Sequence, residues 1–297
     1  MPVRIAWLLL GSLLVVAAAA AEPRAGHELG IRAWYSGGET RWNHSAPGLG
    51  DPTSVLSYDG LRGTSAELFF HRVLRDRWFA RGHVGAGEMG QGSLRDEDYA
   101  VSQVKFSDTT SAVRGGGIRY LTIDAGRTVF EHQAGWRAHV FGGLQYWAER
   151  QDAYGLSNAP GFGFAPSFGN NVPVISNEVR WSALRLGAGA TFLRSPWRIS
   201  VDVAHVPYAD LHNRDFHYLR GDLGGVPNIY MNGRGTGWHV DAELRRELAR
   251  NFSLGVGLRY WSHEADGTIH FGGSGPFPLN GFESRRAGVT ASLLWLH

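Results

Sequence analysis

The chain has 297 residues and a formal charge of +2, from 29 Lys and Arg against 27 Asp and Glu, with the basic residues scattered rather than clustered. That balance makes no case for a nucleic-acid partner, and the absence of cysteine excludes a disulfide-held scaffold. Hydrophobic residues make up 43%, with 11 Trp, 10 Tyr, 15 Phe and 41 Gly, which suits closely spaced strands with rings near their ends.

At the N-terminus, Arg4 precedes an almost unbroken apolar run from Ile5 to Val16, followed by Ala17 to Ala21. With Ala19-Ala20-Ala21 before Glu22, this order reads as a secretory signal peptide over residues 1–21. The run is short for a spanning helix and lacks a basic stop-transfer flank. One domain is expected over 22–297.

Beyond the leader, ten strands are expected in chain order, at 28–42, 55–73, 77–92, 111–126, 135–150, 174–193, 197–210, 235–248, 252–264 and 283–297. Their signature is period-two alternation. Leu254, Val256, Leu258 and Tyr260 alternate with Ser253, Gly255, Gly257 and Arg259, while Ile199, Val201 and Val203 alternate with Ser200, Asp202 and Ala204. Short links fall near 75–76, 126–134, 194–196 and 249–251, and long ones at 43–54, 93–110, 151–173, 211–234 and 265–282. That regular exchange of short and long links predicts an all-β fold, a ten-stranded antiparallel transmembrane β-barrel with long extracellular loops. Closure also removes the sheet edges that hydrocarbon would penalise. Trp295 is expected to supply the aromatic end of the last strand, ahead of His297. Gly115-Gly116-Gly117 precedes no helix, so it marks close strand packing or a bulge rather than a phosphate loop.

Two short motifs stand among the long links. Asp96-Glu97-Asp98-Tyr99 opens the second, and Asp215-Phe216-His217 falls in the fourth. In extended backbone, residues i and i+2 share a face roughly 6–7 Å apart, so Asp96 pairs with Asp98 and Asp215 with His217. A carboxylate beside an imidazole fixes its tautomer and supports a general base, and two adjacent carboxylates raise one another's pKa and can hold a water. Taken singly, each motif is also what a solvated turn looks like. The other histidines show no zinc-binding spacing, so no metal and no cofactor are expected.

Together, in this order, these motifs resemble the omptins, outer-membrane proteases on a ten-stranded barrel. That family carries an aspartate couple at the second outer loop and an Asp-x-His dyad at the fourth, matched here by Asp96, Asp98, Asp215 and His217. The segment Tyr35-Ser36-Gly37-Gly38-Glu39 is similar to the family's first strand, and Glu178 to Tyr218 lies along its sixth and seventh. The resemblance implies hydrolysis of a peptide or protein by a water between Asp96 and His217. Asp215 would orient the imidazole and Asp98 would support Asp96, on the extracellular side of a bacterial outer membrane. It also implies an acidic pocket for a basic side chain, matched by Glu39, whereas Asn213 stands where the second acid is expected. It implies a lipopolysaccharide requirement too, with Tyr146 and Arg150 as lipid contacts, although Ala148 replaces an expected acid between them. A monomer is expected. Two rival readings stand beside this one: a catalytically inactive omptin-like barrel acting as an adhesin or structural protein, and a lipopolysaccharide-modifying barrel enzyme. A simple diffusion pore fits least, since side chains largely fill a barrel of about ten strands.

Overall fold

A computed structural model describes residues 27–296 apart from 164 and 250, so the leader assigned to 1–21 and the terminal His297 lie outside the described residues. Ten strands form the ring: β1 (His27–His44), β2 (Ser54–Val73), β3 (Trp78–Tyr99), β4 (Lys105–Glu131), β5 (Trp136–Asn158), β6 (Phe168–Arg194), β7 (Trp197–His217), β8 (Ile229–Ala249), β9 (Phe252–Phe271) and β10 (Ser274–Leu296). Each pairs antiparallel with its sequence neighbours, and β1 closes on β10 in register from Glu28↔Leu296 to His44↔Leu279.

Strand positions at the short-link end match expectation closely except in β4, which runs on to Glu131 and shortens the link expected at 126–134 to 132–135. At the other end, here called the outer end, the strands run on through much of what the sequence suggests as loop. Only 45–53, 100–104, 159–167, 218–228 and 272–273 remain between them. The outer extensions are therefore long but mostly paired. The last is a two-residue turn at Gly272-Gly273, where Gly272 takes a φ of 55°.

Alternation sorts the side chains between two environments. Outside, the inner half of the barrel presents an apolar belt, including Leu29, Ile31, Leu68, Ile123, Leu144, Leu186, Val201, Val256, Leu258 and Val289, all largely exposed. Trp78, Trp136, Trp197, Phe252 and Trp295 rim it at the short-link end, and Tyr35, Tyr208, Trp238 and Tyr260 rim it toward the outer end. An encircling apolar band between aromatic girdles is a surface made for hydrocarbon. Arginine at Val256, in the middle of the band on β9, is expected to cost about 2–4 kcal/mol of folding free energy in lipid. Urea titration of the reconstituted barrel measures it.

Inside the half of the barrel behind the belt, buried charges sit in ion-pair networks. Glu67 accepts hydrogen bonds from Arg32 Nη1 (2.7 Å), Arg259 Nη1 (2.7 Å) and the Tyr120 hydroxyl (3.0 Å), while Arg259 also reaches Asp241 at 2.7 Å. Toward the short-link end, Arg81 bridges Asp124 and Asp202, and Arg245 bridges Glu28 and Glu243. A cavity of about 200 Å³ lies among these groups, and above it Trp34, Tyr120, Trp147, Trp181, Trp261 and Phe282 pack across the lumen. Glu67→Ala would take the shared acceptor from Arg32, Arg259 and Tyr120 and leave Arg259 with Asp241 alone. One buried positive charge is then uncompensated, and a loss of about 3–5 kcal/mol is expected in the same titration.

A ring of irregularities separates belt from outer extension, and it re-aims several strands. In β3, Met89 and Leu94 are both buried although five residues apart, and the β2–β3 register shifts around Arg62. In β4, Val113 and Ile118 are both buried, with a β4–β5 register shift between Val113 and Gly115. A Cβ on Gly116, at φ 132°, would lie 1.9 Å from the Arg150 carbonyl oxygen, so the centre of the triple glycine has to be glycine. In β7, Val206 and Ala209 are both buried, and the β7–β8 register shifts between them, at Pro207. Pairing with a period of two cannot bury residues three or five apart on one face, so each strand carries a bulge that exchanges its two faces.

Candidate active site

Those exchanges decide what faces the cleft at the outer end. Below the bulge in β3 the odd-numbered residues point inward, as Phe79 and Met89 do; above it the even-numbered ones do, and Leu94, Asp96 and Asp98 turn into the lumen. Below the bulge in β7 the even-numbered Ala204 and Val206 are inside; above it Leu211, Asn213, Asp215 and His217 are. Without the bulges both acidic motifs would face outward. Both also lie on paired strand rather than in the loops where the sequence reading sets them. Asp96 sits opposite Leu56 and Thr109, and Asp98 opposite Ser54 and Ser107. Across the ring, Asp215 sits opposite Asn177 and Ile229, and His217 opposite Ile175.

The dyad is held from several sides. His217 Nε2 lies 3.2 Å from Asp215 Oδ2, and Asp215 is fully buried. Asn228 clamps the backbone of His217, accepting from its N–H at 2.9 Å and donating to its carbonyl at 3.1 Å. Asn228 itself donates its N–H to the Asp215 carbonyl (3.2 Å) and accepts from Gly272 (2.7 Å), which ties the dyad to the turn between β9 and β10. On the facing wall, Ser54 Oγ lies 3.4 Å from Asp96 Oδ1.

Electrostatics couples the two walls. Burial first, and then the charge of Asp98, push the Asp96 carboxyl up to about 7, with His217 acting in the opposite direction. Asp98 is also raised, chiefly by burial. Burial alone would lower His217, but the hydrogen bond and charge of Asp215, joined by the charge of Asp96, outweigh it and hold the imidazole above its ordinary value. A carboxyl pair that retains a proton near neutrality therefore faces a supported imidazole, an arrangement able to bind and polarise a small hydroxylic molecule between them.

The remaining expected residues divide. Asn213 lies inside, beneath Asp215. Glu39 does not join it: Trp34, Ser36, Thr40 and Trp42 of β1 point inward, so Glu39 faces out. There it is 45% exposed and paired with Arg285 at 3.2 Å. The acidic pocket expected from Glu39 is thus absent from this cleft, because alternation on β1 turns the side chain away. Tyr146 and Arg150 share the outer face of β5, where the Arg150 guanidinium is bonded to Asp152 (2.9 Å) and Glu178 (2.7 Å). Two further acids near the dyad in sequence, Asp210 and Asp222, are paired with His212 and Arg220 respectively.

Sequence reasoning missed three features of the cleft. Tyr58 is fully buried and sits close enough to Asp215 and Asp96 for their charges to add to burial in raising its hydroxyl well above the ordinary range. Gln151 and Asn177 continue the row of Asp215 across β5 and β6. Glu149 and Arg286 form a buried ion pair one alternation below that row. Alternation counted from Trp147 and Trp181, the rings buried on β5 and β6, was the available signal for Glu149, Gln151 and Asn177.

The fold is similar over 94% of this chain and 99% of the other to the crystal structure of the outer membrane protease OmpT from Escherichia coli, with a TM-score of 0.74 at 12% sequence identity. The fold is omptin-like. Other solved barrels align less well: the translocator domain of the autotransporter NalP from Neisseria meningitidis reaches a TM-score of 0.42 at 9% identity, covering 98% of this chain and 95% of that one. A FadL homologue from Pseudomonas aeruginosa reaches 0.30 at 10% identity, covering 92% and 90%. No protein-family model matches the sequence, and no characterised protein sequence does. The omptin-like likeness therefore lives in the path of the chain rather than in its residues.

Proposed function

We propose that this omptin-like barrel is an endopeptidase of the bacterial outer membrane, with its cleft on the extracellular side. The observation that carries the reading is the hydrogen-bonded Asp215–His217 dyad facing the Asp96–Asp98 couple across one opening, with the charges of His217 and Asp96 acting on each other. A water between Asp96 and His217 attacks the peptide carbonyl carbon while His217 accepts its proton. Asp215 holds the ring and stabilises the imidazolium, and Asp96, sharing a proton with Asp98, holds the water. The proton then passes from His217 to the departing amine nitrogen as the C–N bond breaks. General-base assistance of this kind supplies roughly 10²–10⁴-fold.

The assay is hydrolysis of a mixed peptide pool by the refolded barrel, compared with its His217→Ala variant. Product formation that depends on His217 supports the reading, whereas a fully folded barrel that cleaves nothing supports an inert adhesin or structural role. Lipid contact at Tyr146 and Arg150 belongs to the same proposal, because both stand on the outer face of β5. Added lipopolysaccharide is expected to raise the rate, and Arg150→Ala to blunt that rise.

A further inference from the structure

The cleft wall beside the dyad carries uncharged polar side chains for which the hydrolytic steps have no use. Gln151, Asn177 and Asp215 are cross-strand neighbours in one row, and Asn213 lies one alternation below Asp215. Asn177 and Asn213 are 0% and 2% exposed, and neither the oxygen nor the nitrogen of either amide has a hydrogen-bond partner among the described residues. The Gln151 Oε1 and the Tyr58 hydroxyl share that condition. Polar atoms buried without partners are unfavourable, so several of them beside a cleft make a receptor for the polar atoms of something else.

Charge narrows what that something is. The carboxylate nearest along this wall is Asp215 itself, whose Oδ2 is bonded to His217 and whose Oδ1 has no partner among the described residues. The next is Glu149, whose oxygens are already taken by Arg286 (2.5 and 2.8 Å), Trp147 (2.9 Å) and Gln151 (3.0 Å). Glu39 is outside with Arg285. A guanidinium or ammonium entering here would find Glu149 already paired with Arg286 and could reach only Asp215, whose charge is committed to holding the His217 imidazole. Ile229 and Met231 of β8, opposite Asp215 and Asn213, offer an apolar surface for methylene groups.

We infer that Asn177 and Asn213 receive a side chain flanking the scissile bond, and that this side chain is an uncharged hydrogen-bonding one, asparagine or glutamine foremost. A carboxamide presents one donor group and one acceptor, matching what the two buried amides lack. The inference rests on the proposed endopeptidase activity and names its substrate class.

The test is a peptide pool randomised on both sides of the cut, digested by the full refolded protein, with cleavage sites read by mass spectrometry. Asn and Gln are expected to exceed Arg and Lys by at least ten-fold in kcat/KM at one flanking position. Asn213→Asp, which adds a carboxylate, is expected to shift that ratio toward Arg and Lys by at least ten-fold. A wild-type profile led by Arg or Lys overturns the inference while leaving the protease reading intact, as does an Asn213→Asp profile indistinguishable from wild type. Failure to find any His217-dependent cleavage overturns both.

Discussion

Alanine at His217 or at Asp96 is expected to lower peptide hydrolysis by roughly 10²–10⁴-fold without unfolding the barrel. The physical ground is that neither residue supports the sheet. Backbone pairing and the packing of Trp34, Trp147, Trp181 and Trp261 hold the ring, while the dyad and couple sit above that plug. Asp215→Ala is the informative contrast, because it leaves the imidazole present but unsupported and unoriented. Initial rates, together with the heat-modifiable migration that reports a folded barrel, separate lost chemistry from lost structure. Full activity in both the Asp96 and the His217 variants would refute these roles.

The pH dependence carries the second large effect. A protonated His217 cannot accept the proton of the attacking water, so kcat/KM is expected to fall on the acid side. Because Asp215 and Asp96 hold the imidazole above its ordinary 6.5, the half-point lies above that value. Asp215→Asn removes the main support, so the acid limb moves to lower pH while the maximal rate drops. Stability follows the same groups with the sign set by their raised values. For Asp96, raised from 3.8 to about 7, the contribution is fully present below 3.8 and is lost as pH rises through about 7. His217 acts likewise, its contribution present below 6.5 and lost above its raised value. His44, held down to about 4 by burial, acts in the opposite sense as pH falls below 6.5. Asp96→Asn is therefore expected to lose, in hydrogen exchange of the outer extension between pH 4 and pH 8.5, the protection toward low pH that Asp96 supplies. An acid limb centred below 6.5 in the wild type, or one unmoved by Asp215→Asn, contradicts this electrostatic picture.

Much of the barrel is legible in the residues, and the gaps have a common cause. Alternation in β7, β9 and β10 is plain because one face meets hydrocarbon and the other a polar lumen. Above the belt both faces meet water or polar groups. Segments such as Asp96–Tyr99 and Gly267–Phe271 therefore lose the apolar half of the pattern and look like loop. The face each catalytic candidate adopts is set by bulges, and only Gly90, Gly92, the triple glycine 115–117 and Pro207 hint at them. Chain order and residue type therefore sufficed to nominate Asp96, Asp98, Asp215 and His217, but not to aim them. Glu39 shows the reverse case. Alternation from Trp34 and Trp42 already places it outside, so its likeness in residue type to the family's first strand carries no information on the face it takes.

Whether Asp96 and His217 act on the same water is tested most directly by a double-mutant cycle on kcat/KM, using Asp96→Ala, His217→Ala and the variant carrying both. Residues that share one water form a single unit, so the double variant should be no slower than the slower single one. Losses that multiply in the double variant would mean that the two side chains work independently, and the shared-water cleft would have to be abandoned.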